Sequence, residues 1–110
     1  MNVQAFYRLI DGLSPFLLSK ELCEKEDLYD NSGVIIDAGK EFDKVLCALD
    51  LSVGAVEEAK RLGCGLIFTH HPAIYRPIKN VGGAVLESAK AGISVISAHL
   101  NLDCAPRGID

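Results

Sequence analysis

Apolar residues recur at spacings of three and four from the start of the chain: Val3, Phe6, Leu9, Ile10 and Leu13. That period predicts a helix over 2–13, capped by Asn2, with these five side chains on its inner face. Ser14-Pro15 then reads as a cap followed by proline at the first helical position, opening a second short helix into Leu22 or Cys23. From Val34 the pattern changes. Val34–Asp37 is short and β-branched and predicts a strand. Lys44–Asp50 predicts a second strand, apolar enough to be covered on both faces. The polar stretch Ala38–Glu41 between them reads as a hairpin connection.

Helical spacing returns behind Ser52, a good N-cap. The helix is expected to run to Leu62, with Val53, Val56, Ala59 and Leu62 facing inward. Gly63-Cys64-Gly65 stops it, and Leu66–Phe68 predicts a third strand. Pro72–Asn80 is a loop leaving that strand. A helix over 84–91 follows, with Val85, Leu86 and Ala89 as its inner side, and Gly92 ends it. Ile93–Ala98 predicts a fourth strand. After Asp103 the chain reads as a loop, with Pro106 in position to open a further helix. Strand, helix, strand occurs twice in succession, which makes two βαβ units and favours parallel pairing. The expected fold is a single α/β domain over 1–110: a layered sandwich with a mainly parallel central sheet and the N-terminal helices packed on it.

Composition narrows the function classes. A hydrophobic content of 49% supports a packed core rather than disorder. The net charge of −4 argues against nucleic acid, whose phosphates need a basic surface. No apolar run approaches the ~20 residues that span a bilayer, and no secretory leader is readable. The cysteines Cys23, Cys47, Cys64 and Cys104 form no C-x-x-C pair. Cys47 and Cys64 lie in apolar surroundings and read as small core residues. The expectation is a reducing, cytoplasmic location.

The chemistry concentrates in two places. Leu66–Pro72 is an apolar run ending in His70-His71-Pro72, and Ile93–Asp103 is an apolar run ending in His99 and Asp103. The three histidines of the chain all fall here. In open α/β sheets, ligands bind beyond the carboxyl ends of the strands, where all four residues lie. Imidazole and carboxylate donors suit zinc, iron, manganese or nickel. Adjacent strand residues point to opposite faces, so His70 and His71 suit two cations better than one unless the backbone turns between them. Three or four ligands can hold one metal with open positions and are too few to fill two. The competing reading is a set of structural histidines without metal. Asp30-Asn31-Ser32-Gly33 reads as a surface turn, or alternatively as a polar loop near a site.

At these residues the chain resembles the NIF-three-like family, also known as GTP cyclohydrolase I type 2 homologues. The matching segments are Asp30–Gly33, Val45–Asp50, Leu66–Pro72 and Ala98-His-Leu-Asn-Leu-Asp103, in order across nearly the whole chain. The resemblance implies an α/β protein with a dinuclear centre of divalent metal ions. His70 would bind one cation and His71 the other, with Asp103 joining His71. His99 would stand beside the site, supporting rather than ligating. It also implies a homo-oligomer, hexameric and ring-shaped in the family, and a longer protein of which these residues form the N-terminal half. The remaining ligands, a His-x3-Glu pair, come from a C-terminal segment in the family. The activity implied is that of a metal-dependent hydrolase on a small molecule or nucleotide. The alternative is a non-catalytic metal-binding regulator or scaffold acting through protein contacts.

Overall fold

The computed structural model describes residues 1–104. Within them the order is α1 (Val3–Leu13), α2 (Leu17–Glu26), β1 (Gly33–Ile36), β2 (Val45–Ala48), α3 (Val53–Leu62), β3 (Leu66–Thr69), α4 (Gly83–Lys90), β4 (Ser94–Ser97) and α5 (Leu100–Cys104). The expected loop beyond Cys104 and the helix at Pro106 lie outside the described residues. The four strands form one sheet in the order β1-β4-β3-β2. β2, β3 and β4 run parallel, and β1 is antiparallel to β4.

Helices cover both faces of the sheet, so alternate strand residues enter separate cores. Leu66, Phe68, Ile96 and Ala98 pack with Val3 and Phe6 of α1, together with Phe16 and Phe42. Ile67 and Val95 point the other way, onto Val56 and Ala59 of α3 and Ala84 of α4. This is the period of two expected of a pleated strand. Tyr7 stacks on Phe16 at 4.5 Å, fixing α1 against the start of α2.

The first eight elements are those the hydrophobic pattern predicts, with four corrections, while α5 was not expected. First, 38–41 is no hairpin. β1 pairs with β4 through Gly33↔Ser97 and Val34↔Ile96, at the opposite edge from β2. The connection instead carries Phe42 under α1, where its main chain exchanges two hydrogen bonds with Met1, each 2.8 Å. Phe42 sits so close to Gly65 that a Cβ there would lie 2.5 Å from the Phe42 Cβ, so the glycine is sterically required. Second, β2 is an edge strand, half-buried rather than covered on both faces, and Cys47 is exposed while Cys64 is buried. The fully buried strand is β4, despite its two serines. Third, α1 buries Val3 and Phe6 but leaves Leu9 and Leu13 exposed. On α3, Val56 and Ala59 are buried while Val53 and Leu62 are exposed. Fourth, α4 turns Ser88 inward and leaves Leu86 and Ala89 exposed. A buried serine is tolerated because its hydroxyl donates to the Ala84 carbonyl at 2.8 Å, one turn back.

Candidate metal centre

His70 and His71 follow β3, His99 follows β4, and Asp103 lies on α5. The parallel strands place all of these at one end of the sheet. β1 runs the other way, so its beginning lies at the same end, and Gly33 faces Ser97. That reversal carries Asp30 to His99. A β1–β2 hairpin would have set it near Asp50 instead.

The three imidazoles form a triangle. Ring centroids are 5.5 Å apart for His70 and His71, 5.2 Å for His70 and His99, and 5.8 Å for His71 and His99. The adjacent pair converges because the backbone leaves the strand after Thr69. A line of hydroxyls holds this bend. The Ala73 N–H donates to Ser97 Oγ at 3.1 Å, and Ser97 Oγ lies 2.7 Å from Thr69 Oγ1. Thr69 Oγ1 in turn donates to the His71 carbonyl at 2.8 Å. Each hydroxyl has one proton, so the directions follow: Ala73 to Ser97, Ser97 to Thr69, Thr69 to His71. Both side chains are fully buried, and the bend therefore rests on strand-end residues rather than on the loop itself.

Every ring is anchored through the same nitrogen. His70 Nδ1 donates to the Ala98 carbonyl at 2.9 Å, His71 Nδ1 to Asp50 Oδ1 at 2.6 Å, and His99 Nδ1 to Asp30 Oδ1 at 3.0 Å. Placing the N–H at Nδ1, as these acceptors require, leaves Nε2 with its lone pair on each neutral imidazole. Acceptors at the far ring nitrogen are the usual way proteins orient metal-binding histidines. The anchors differ in strength. The Asp30 side chain is 1% exposed, and it also accepts from Ser32 Oγ at 2.6 Å and from the Leu100 N–H at 3.4 Å. Asp50 is 63% exposed, so solvent weakens its pairing with His71.

Asp103 rests on His70, with Oδ1 3.3 Å from Nε2, rather than beside His71 as the resemblance implies. His70 thus faces the Ala98 carbonyl on one side and a carboxylate on the other. A neutral imidazole has one N–H, and with that proton donated to the Ala98 carbonyl the Nε2 lone pair is turned toward Asp103. One donor atom each from His70, His99 and Asp103 lies within 4.8 Å of the others. His99, expected only to support the site, has one such atom within this distance.

α5 reaches this position through Asn101, which is fully buried between α1 and α2. Its side-chain NH₂ donates to the Ser14 carbonyl at 2.8 Å, and its Oδ1 accepts from Ser19 Oγ at 3.2 Å. Its main chain closes the pair: Ser14 Oγ donates to its carbonyl at 2.6 Å, and its N–H donates to Ser19 Oγ at 2.7 Å. Beside His70 opens a mainly apolar hollow of about 390 Å³, lined by Cys47, Ala48, Leu49, Phe68, His70 and Leu102. Asp30 and Asp50 were not recognisable as histidine partners from the sequence alone. The signals that pointed toward them were an aspartate closing a strand and an aspartate opening a turn.

The family model for Duf34/NIF3 (NGG1p interacting factor 3) matches residues 1–110. A "GTP cyclohydrolase 1 type 2 homolog" of Halalkalibacterium halodurans is 34% identical over 116 residues, covering 99% of this chain and 29% of the relative. One of Lactococcus lactis is 36% identical over 108 residues, covering 89% of this chain and 42% of the relative. Among solved structures, a Staphylococcus aureus hypothetical protein superposes with a TM-score of 0.85 at 30% identity, over 98% of this chain and 36% of that one. Reduced HcgD from Methanocaldococcus jannaschii gives 0.79 at 31% identity, over 98% and 43%. The chain thus spans less than half the length of these relatives. No described helix is long and apolar enough to cross a membrane.

Proposed function

The chain belongs to the Duf34/NIF3 family, and on that premise we propose that it builds part of a divalent-metal centre at which a small molecule is hydrolysed. The observation that carries this reading is the common anchoring of His70, His71 and His99 at Nδ1, which leaves three Nε2 lone pairs, that of His70 3.3 Å from Asp103 Oδ1. The donor set fits zinc, iron, manganese or nickel. His70, His99 and Asp103 would hold one cation, and His71 would begin the shell of a second. Further positions would be filled by the rest of the full-length protein, in a homo-oligomeric ring, and by water or substrate.

Bound divalent ions supply Lewis acidity toward an electrophilic carbon or phosphorus centre and acidify water. The protein's own residues orient the donors. Asp30 fixes the His99 tautomer from a dry position, the Thr69–Ser97 hydroxyls hold His71 at the bend, and Asn101 sets α5 so that Asp103 meets His70. The apolar hollow beside His70 would receive a flat or apolar part of the substrate.

Elemental analysis of the purified full-length protein tests this reading. His70→Ala, His71→Ala and Asp103→Ala are each expected to lower bound metal. Wild-type content in all three variants would refute it. Turnover of nucleotides and phosphoesters with added Mn²⁺, Zn²⁺ or Fe²⁺ then separates hydrolysis from a purely binding role.

A further inference from the structure

The loop after His71 carries a feature that the metal centre does not use. Arg76 is exposed, and its guanidinium carbon lies 4.7 Å from the ring centroid of Tyr29 and 5.1 Å from that of Tyr75. The two rings meet edge to face at 5.0 Å and 87°, so the guanidinium sits in a corner between them. The corner is tied together at two points. Asn31 Nδ2 donates to the Ile74 carbonyl at 2.6 Å, and the Tyr75 hydroxyl donates to the Tyr29 carbonyl at 3.2 Å. Among the described residues no carboxylate pairs with Arg76, whereas Arg61 is spent on Glu58. A fixed guanidinium with its N–H groups open matches the geometry of an oxyanion.

Its position matters as much as its charge. Tyr29 adjoins Asp30, whose carboxylate holds His99. Arg76 follows His71 by five residues, a span of at most ~18 Å even in extended chain. We propose that Arg76, held in the Tyr29–Tyr75 corner, binds an oxyanion substituent, phosphoryl or carboxylate, of the molecule whose reactive part lies at the histidine cluster. Only the placement of the reactive part at the histidine cluster rests on the metal-centre reading. Anchoring a remote charged group is how binding energy is applied to position a reacting centre.

The test uses the full-length protein with pyrophosphate and succinate as probes, titrated with and without a chelator, and metal content measured in parallel. Arg76→Ala is expected to weaken binding of at least one probe about tenfold or more, with metal content and melting temperature unchanged. Arg76→Lys should recover part of the loss, and Tyr29→Leu, which removes one wall, should weaken binding with the arginine still present. The probe that responds identifies the substituent. Unchanged binding of both probes in Arg76→Ala overturns the proposal, as does a loss accompanied by loss of metal or of fold. If the metal reading alone fails, the wild-type protein lacks metal while chelator-resistant anion binding still depends on Arg76.

Discussion

Replacing Asp30 by asparagine isolates the role of the buried carboxylate. The side chain is 1% exposed and accepts from three donors: Ser32 Oγ at 2.6 Å, His99 Nδ1 at 3.0 Å and the Leu100 N–H at 3.4 Å. Asparagine has nearly the same shape but only one acceptor oxygen. If that oxygen faces His99, the new NH₂ meets the Leu100 N–H, donor against donor. If the amide flips, its NH₂ faces His99 Nδ1 and pushes the imidazole proton to Nε2, the nitrogen needed as a ligand. Either arrangement also exchanges charge-assisted hydrogen bonds for neutral ones of about half the strength. Loss of such a partner lowers metal affinity ~10–100-fold, or about 1.4–2.8 kcal/mol. Competition against a chromophoric chelator measures the affinity, and nitrogen-15 spectra of the imidazoles report the tautomer. Affinity within twofold of wild type, in a folded variant with unchanged tautomers, would refute the argument that Asp30 prepares His99 for metal.

Two further outcomes follow from other parts of the molecule. Asn101→Ala removes three buried side-chain hydrogen bonds and strands the Ser14 carbonyl and Ser19 hydroxyl partners; at about 1–3 kcal/mol for each unsatisfied group, urea unfolding should show a loss of roughly 2–5 kcal/mol, and a loss below about 1 kcal/mol would contradict the network's role. Burial, followed by the nearby Asp30 and Glu24 carboxylates, pushes the Cys23 thiol above its ordinary range, so less thiolate is present at a given pH; mass-resolved alkylation at pH 8.5 should modify Cys23 more slowly than a free cysteine, and equal rates would count against that environment.

Local hydrophobic pattern was enough to read the order from α1 to β4, but not the five-residue α5, which is too short to show a helical period. Sheet order was not readable in the same way. The segment between β1 and β2 is polar and short enough for a hairpin, and only Phe42, an apolar residue inside it, signals that the chain must dive under α1. Inner faces failed where size competes with polarity. Ser88 faces inward on α4 because a small, self-satisfied hydroxyl permits close packing, while Leu86 remains outside. The metal-type residues His70, His71, His99 and Asp103 were visible as strand-end chemistry. Their partners were not, since Asp30 and Asp50 are distant in sequence and join the histidines only through strand order. The bend between His70 and His71 was equally hidden, because it depends on Ser97, a residue of another strand.

That last dependence has a mechanical consequence. Thr69 and Ser97 are paired across two parallel strands, and Ala73 and His71 hang from the same hydroxyl line. The carriers of the imidazole pair and of the third imidazole are therefore stitched into one rigid rim. Movement of the loop beyond Ala73, which holds Arg76, would leave the spacing of the rings behind it unchanged.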